Sequence, residues 1–186
     1  TTDYLDSVYE GNSQLQDHLT REVQRCWNDR EQIVLIGYSQ GALAIHLALR
    51  ELSDQGASWI VDRISTVILI ADPAKVKDGN EHLFEAKNKT AGSGVKKADG
   101  IWQQLMKIPR PWKTGPIPAS LTDRTVSICH DKDFVCAPYA LTTGLPLVEG
   151  GRFSYGVNRH THYSADELNW IGEQAAQYTA NRLPTP

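Results

Sequence analysis

Short apolar runs alternate with longer helical patterns along this chain. Three runs, 33–36, 65–71 and 124–129, are rich in Val and Ile and have the length of buried strands. The stretch 42–49 is longer and rich in Ala and Leu, which favours a helix. Strands that alternate with helices are typical of βαβ units. We therefore predict an α/β fold built on a mostly parallel central sheet.

Two further helices are predicted, one near each end of the chain. Residues 12–26 carry apolar side chains at helical spacing with polar residues between them, the pattern of an amphipathic helix. Near the other end, Ser164 and Glu167 have the spacing of a capping box, in which serine caps the helix and glutamate follows three residues later. This box predicts that a last helix begins at Ser164.

Length and composition indicate one ordinary globular domain. The chain has 186 residues, of which 40% are hydrophobic and 22% charged, with a formal net charge of -3. This charge gives no reason to expect a nucleic acid partner. No apolar run has the length of a transmembrane segment. The chain opens without Met and without the pattern of a signal peptide, so we expect it to be a processed or partial chain.

Five residues between the first predicted strand and the helix that follows it indicate a nucleophile. Gly37-Tyr38-Ser39-Gln40-Gly41 is a G-x-S-x-G sequence at the point where a strand passes into a helix. In α/β-hydrolases this arrangement is the nucleophile elbow, a sharp turn that exposes the serine hydroxyl above the sheet. We expect glycines beside the serine because neighbouring backbone passes close by. The alternative is a tight turn in which Ser39 only caps the helix.

A serine nucleophile needs a histidine base and a carboxylate that orients the base, and in α/β-hydrolases the acid precedes the histidine in the chain. The candidate acids at strand ends are Asp72, Asp131 and Asp133, and the candidate histidines downstream are His130, His160 and His162. His160 and His162 fall in a predicted loop directly before the last helix. We interpret His46 as structural or surface-exposed and His82 as solvated.

The three cysteines bear on the choice of acid. Cys129 and Cys136 are seven residues apart, a spacing that can close a small disulfide loop. The alternative of a zinc site is weaker, because this is not a usual ligand spacing. A disulfide there would give Asp133, which lies inside the loop, a rigid mount. Cys26 is left over, either as a buried free thiol or as the partner of a cysteine outside this sequence.

Three ordered motifs resemble the cutinase family of serine esterases. They are Gly37–Gly41, Cys129–Cys136 with Asp133 in the position of the acid, and His160 followed three residues later by Tyr163. The resemblance implies a serine nucleophile at Ser39, an orienting acid at Asp133 and a base at His160, with the backbone N–H of Gln40 as one donor of the oxyanion hole.

The chain also departs from the family pattern. Lys132 precedes the acid where glycine is usual, which leaves Asp131 as a minor competitor. The long stretch 74–121 is more like the bacterial, actinobacterial branch. The family fold begins with a strand, and the loop after it supplies a second oxyanion donor and a cysteine. That cysteine pairs with one on the helix before the elbow, where Cys26 lies. Because this chain lacks that strand, we expect the natural protein to be longer, with the strand upstream of Thr1.

The stretch 74–121 is polar, rich in Gly and Pro, and carries six lysines in its first half. We interpret it as a solvated excursion. The alternative is a flap beside the active site, since long loops in compact domains are often functional. The apolar face of such a flap would consist of Ile101, Trp102, Leu105 and Met106.

By resemblance, the chain is expected to form one domain, 1–186, with the three-layer sandwich of an α/β-hydrolase. It would cleave the carboxylic esters of an ester or lipid substrate through an acyl group on Ser39, without metal or cofactor. We expect a monomer that contacts lipid surfaces transiently, and the disulfide suggests a secreted or cell-envelope protein. The alternatives are an acyltransferase with the same triad and a non-catalytic surface protein that keeps the fold.

Overall fold

The computed structural model describes residues 2–29, 31–86, 90–91, 99–105, 115–131, 133–138 and 150–181. Within these ranges the elements follow in the order α1 (Thr2–Arg25), β1 (Ile33–Tyr38), α2 (Gln40–Asp54), α3 (Ser58–Val61), β2 (Ile64–Ile70), β3 (His82–Glu85), β4 (Thr90–Ala91), α4 (Ile101–Leu105), a 3-10 helix (Ala119–Arg124), β5 (Thr125–Cys129), α5 (Gly150–Thr161) and α6 (Ala165–Ala180).

The strands form one sheet in the order β1-β2-β5-β3-β4. The first four strands of that order run parallel, and β4 pairs antiparallel with β3. Strand β2 is buried along almost its whole length, as its run of β-branched residues predicts for a strand covered on both faces. The predicted mostly parallel sheet is therefore confirmed. Strand β1 lies at one end of this sheet and leaves Ile36 60% exposed.

Helices cover both faces of the sheet. Helices α1 and α2 pack over one face, where Leu19 and Leu49 share a core cluster with Val67 of β2. Helix α6 covers the other face, where Ile171 packs against Ile68 and neighbouring strand residues. The result is the three-layer sandwich expected of an α/β-hydrolase.

Helix α1 is longer than the helix predicted over residues 12–26. It begins at Thr2, because Leu5 and Val8 continue the apolar spacing toward the N-terminus. Both side chains contribute to a core cluster that includes Leu43 of α2. A side chain at Gly11 would lie 3.5 Å from the Cβ of Ala44, so the two helices approach closely at this glycine.

The stretch 74–121 contains more structure than the solvated excursion predicted from its polarity. Strand β3 joins the central sheet beside β5, and α4 follows. Trp102 is buried in the core cluster of α1 and α2, so it does not belong to an exposed apolar face. The side chain of Leu105 and all of Met106 lie outside the described residues, and a flap in this region stays a prediction.

Candidate active site

The elbow lies where β1 passes into α2. Ser39 has φ 52° and ψ -116°, a conformation that a non-glycine residue rarely adopts. The turn is held against the sheet because the Ser39 N–H donates to the Ile70 carbonyl of β2 over 2.8 Å. The backbone thus presents the serine side chain beyond the carboxyl end of β1, as the G-x-S-x-G sequence predicted.

The two glycines of the elbow are under different constraints. A Cβ at Gly37 would lie 2.7 Å from the Ala42 nitrogen and 2.8 Å from the Gly41 carbonyl oxygen, so the first turn of α2 excludes any side chain there. Among the described residues, no atom outside the backbone of its own helical turn lies within 4 Å of a Cβ placed at Gly41. The expectation that neighbouring backbone requires glycine is correct for Gly37 and wrong for Gly41.

Ser39, His160 and Asp133 form a continuous line of polar contacts. The Ser39 Oγ lies 2.8 Å from the His160 Nε2. On the other side of the ring, Nδ1 lies 3.1 Å from each carboxylate oxygen of Asp133. Because a carboxylate only accepts hydrogen bonds, Nδ1 carries the ring proton in this arrangement and Nε2 is free to accept from the serine hydroxyl.

His160 does not lie in a loop, as predicted, but in the last turn of α5. A hydrogen bond of 3.1 Å from the Phe134 N–H to the Gly156 carbonyl joins this helix to the turn that contains Asp133. His162 follows the helix and is exposed, with Nδ1 3.1 Å from the Asn158 carbonyl oxygen. The structure therefore brings His160, and not His162, to the serine.

Asp133 is completely buried in a short turn that a disulfide closes. The predicted bond between Cys129 and Cys136 is present and leads directly out of β5. Within this turn, Asp133 Oδ1 accepts from the backbone N–H groups of Val135 at 2.7 Å and Cys136 at 3.3 Å. These two donors orient the carboxylate toward His160.

The competing acids Asp72 and Asp131 make other contacts. Asp72 is buried against His46, whose Nδ1 lies 2.6 Å from Asp72 Oδ2. His46 is accordingly structural, one of the two interpretations that the sequence left open. Asp131 is exposed, and its backbone N–H donates to Glu85 Oε1 over 3.3 Å. Neither carboxylate is in contact with His160.

His130 and His82 occupy structural positions. His130 is completely buried, with Nε2 3.2 Å from Glu167 Oε2 and Nδ1 3.7 Å from Glu85 Oε1. Among the described residues, neither ring nitrogen makes a hydrogen bond of good geometry, although each lies within ion-pair distance of a carboxylate oxygen. His82 is half-buried in β3 with its ring 5.2 Å from that of Tyr178, which corrects the interpretation of it as solvated.

Two tyrosines for which the sequence predicted no role contact the base and the acid. Tyr38 precedes the serine, and its phenol donates to the backbone carbonyl of His160. The hydroxyl of Tyr163 lies 3.4 Å from Asp133 Oδ2. Both residues lie within the motifs that carry the resemblance, but no local pattern reveals what a side chain contacts across the fold.

Gln40 opens helix α2 directly after the serine. The first N–H groups of a helix have no carbonyl one turn earlier, and the helix dipole favours negative charge at this end. The Gln40 side chain is directed toward α1, with Nε2 3.4 Å from the Tyr4 carbonyl oxygen. Its backbone N–H is thus placed at the end of the helix where an oxyanion would be stabilised.

Cys26 is a buried free thiol among the described residues. It lies in a groove of about 310 Å³ between α1 and β1, whose walls include Leu19, Ile33 and Arg63 and none of the three residues aligned at the elbow. Both alternatives for Cys26 stay predictions, because a partner outside this sequence would also leave the thiol free.

Comparison with known proteins decides the family. The family model for cutinases matches residues 1–183. This chain belongs to the cutinase family. Membership makes it a carboxylic ester hydrolase. Among the described residues, no helix has both the length and the apolar character required to cross a membrane.

Solved structures of two esterases share the fold. A cutinase-like protein from Cryptococcus sp. superposes with a TM-score of 0.64 at 19% identity, over 92% of this chain and 69% of its own. An acetylxylan esterase superposes with a TM-score of 0.57 at 19% identity, over 97% of this chain and 73% of its own. A search among curated protein sequences finds no match. The resemblance to the actinobacterial branch stays a prediction.

Proposed function

We propose that this cutinase-family chain hydrolyses carboxylic esters in two steps through an acyl group carried by Ser39. The observation that supports this most directly is the line of contacts from Ser39 Oγ through both nitrogens of His160 to Asp133, with 2.8 Å and 3.1 Å separations. A serine hydroxyl is a weak nucleophile unless a neighbouring base accepts its proton. His160 is within direct reach of that proton.

In the first step, His160 Nε2 accepts the Ser39 proton while Oγ attacks the ester carbonyl carbon. The resulting oxyanion is stabilised by the Gln40 backbone N–H at the start of α2. The C–O bond to the alcohol then breaks, and His160 returns the proton to the leaving alkoxide. The products of this step are the free alcohol and an acyl ester on Ser39.

In the second step, His160 accepts a proton from water, whose oxygen attacks the acyl carbonyl. Collapse of the second tetrahedral intermediate returns the proton to Ser39 Oγ and releases the carboxylic acid. In both steps the ring becomes an imidazolium, and the buried carboxylate of Asp133 stabilises that charge through Nδ1. Asp133 also keeps the ring in the tautomer that leaves Nε2 free.

The surroundings of Ser39 favour an ester with apolar groups. Tyr38 directly precedes Ser39, and the backbone carbonyl of Tyr4 contacts the Gln40 side chain. Each of these two tyrosines is 44% exposed. Exposed apolar side chains beside the nucleophile fit a lipid or other apolar ester better than a highly charged one.

We propose that the chain acts as a secreted or cell-envelope monomer that touches lipid surfaces transiently. The disulfide supports an oxidising compartment.

The test is hydrolysis of p-nitrophenyl esters of increasing acyl length by the unmodified chain and three variants. Ser39→Ala and His160→Ala should each lower kcat by at least about 10³-fold, because each removes a member of the triad. His162→Ala is the matched control, since it removes an exposed neighbouring imidazole, and it should leave kcat unchanged. Loss of activity in His162→Ala alone would show that the base is assigned to the wrong histidine.

A further inference from the structure

The acid has a side-chain donor in addition to its backbone donors. The backbone N–H groups of Val135 and Cys136 bind Asp133 Oδ1, whereas Oδ2 lies 3.4 Å from the Tyr163 hydroxyl. Burial, reinforced by the charge of Asp133, raises the pKa of Tyr163, so the phenol keeps the proton that it donates. The carboxylate is therefore restrained at both oxygens.

The ring of Tyr163 is itself held in place. It packs on the imidazole of His130 with ring centroids 4.4 Å apart. His130 is completely buried between Glu85 and Glu167, and Glu167 also accepts from the Ser164 N–H over 2.6 Å at the start of α6. This packing fixes the phenol relative to β5 and α6, which gives Asp133 a donor that cannot easily move away.

The base is restrained from the other side by Tyr38. The Tyr38 ring stacks on the His160 imidazole at a centroid distance of 5.4 Å and an interplanar angle of 14°. Its phenol donates to the His160 carbonyl, which lies in the last turn of α5, where carbonyls have no partner within the helix. Because Tyr38 directly precedes Ser39, one residue joins the nucleophile to the helix that carries the base.

The two tyrosines also touch each other. Their rings meet edge to face, with centroids 6.0 Å apart and an interplanar angle of 90°. This is a favourable geometry for aromatic pairs. We call Tyr38 and Tyr163 the aromatic bracket. Tyr38 contacts the base His160, and Tyr163 contacts the acid Asp133.

We propose that Tyr38 and Tyr163 are positioning residues of the hydrolase, with Tyr38 acting through His160 and Tyr163 acting through Asp133. The inference rests on the proposed function, because it assigns these two side chains to the alignment of the same triad. Neither residue needs to touch the ester. Their effect is to keep Nδ1 of the base directed at the acid and Nε2 directed at the serine.

The first experiment compares Tyr38→Phe and Tyr163→Phe, which keep both rings and remove only the hydroxyls. Each should lower kcat for p-nitrophenyl ester hydrolysis about three- to tenfold, the effect of losing one hydrogen bond, with KM unchanged. Tyr178→Phe is the matched control, since Tyr178 is a half-buried tyrosine of α6 that packs on Phe84. It should leave kcat unchanged. A Tyr163→Phe enzyme as active as the control would overturn the role of Tyr163, and the same holds for Tyr38.

The second experiment repeats the substitutions in an Asp133→Ala background. If Tyr163 acts through Asp133, Tyr163→Phe has no further effect on kcat once the carboxylate is gone. Tyr38→Phe should still lower kcat there, because its partner His160 remains. A general loss of folded protein would lower kcat equally in both backgrounds, so additive effects of Tyr163→Phe and Asp133→Ala contradict the proposal.

Comparison with Ser39→Ala separates the role of the two tyrosines from the role of the nucleophile. If the unmodified chain and Ser39→Ala hydrolyse esters at the same rate, the proposed function is wrong. If hydrolysis depends on Ser39 but the tyrosine variants have the same kcat as Tyr178→Phe, only the positioning role of Tyr38 and Tyr163 is wrong.

Discussion

His46 and Asp72 form a buried pair in which Nδ1 of the imidazole lies 2.6 Å from Oδ2 of the carboxylate. On the other side of the ring, His46 Nε2 lies 3.0 Å from the Gly115 carbonyl oxygen. Both nitrogens therefore face acceptors, an arrangement that suits a protonated ring. The pair joins α2 to the turn after β2.

We expect this pair to make stability depend on pH. Burial by itself lowers the pKa of His46, but the charge and hydrogen bond of Asp72, with the Gly115 carbonyl, raise it above the ordinary value of 6.5. The stabilisation is thus fully present below about pH 6.5 and is lost as pH rises through the raised pKa. As pH rises from about 6.5 through the raised pKa of His46, the free energy of unfolding of the unmodified chain should fall more than that of His46→Gln.

The measurement is urea unfolding of both proteins from about pH 5 to about pH 8. His162→Gln serves as the control, because His162 is exposed at the end of α5, and it should follow the unmodified chain. Identical pH slopes for His46→Gln and the unmodified chain would show that the ring is not charged in the folded protein.

The elbow glycines should respond differently to the same substitution. Gly37→Ala places a methyl group against backbone atoms of Gly41 and Ala42, so we expect it to destabilise the fold by about 1–3 kcal/mol. Gly41→Ala meets open space at the start of α2 and gains up to about 1 kcal/mol of helix propensity. Thermal unfolding of the two variants compares them directly. Equal losses of stability in Gly37→Ala and Gly41→Ala would mean that crowding by backbone atoms does not explain the glycine at position 37.

The disulfide should support both the fold and the acid. Replacing Cys129 and Cys136 together by Ala opens a short loop, for which chain entropy predicts a loss of about 2–3 kcal/mol. We also expect a lower kcat, because Asp133 lies in that loop. Cys26→Ala is the control, since Cys26 lies in the groove between α1 and β1. Reduced stability with an unchanged kcat would restrict the disulfide to a structural role.

The thiol of Cys26 should react slowly in the folded protein. A hydrogen bond to Glu31 raises its pKa, and burial raises it further, so little reactive thiolate forms at neutral pH. We expect Glu31→Gln to increase the rate of alkylation by iodoacetamide, measured by intact mass, while denaturant increases it in both proteins. An unchanged native rate in Glu31→Gln would mean that access to the thiol, and not its ionisation, limits the reaction.

The features predicted correctly from sequence are those that short segments determine. The strand, turn and helix around Ser39 are adjacent in sequence, and the capping box of Ser164 and Glu167 is present with both of its hydrogen bonds. The disulfide spacing is equally local. Each of these depends on residues within a few positions of one another, so one chain is enough to recognise them.

The features missed depend on contacts between distant segments. Strand β3 has only four residues within a polar stretch, and it is ordered by pairing with β5. Helix α5 contains three glycines, at positions 150, 151 and 156, which argue against a helix. Tertiary bonds near its end, such as the one between Tyr38 and the His160 carbonyl 122 positions away, override that preference.

The proposed mechanism depends on an acyl-enzyme at Ser39, and covalent labelling examines that nucleophile without any assumption about the natural substrate. The unmodified chain and Ser39→Ala are incubated with a fluorophosphonate ester, and the adduct is located by peptide mass spectrometry. We predict one adduct per chain on Ser39, formed faster than in His160→Ala and absent from Ser39→Ala. A folded chain that acquires no adduct on Ser39 while hydrolysing esters would contradict the mechanism.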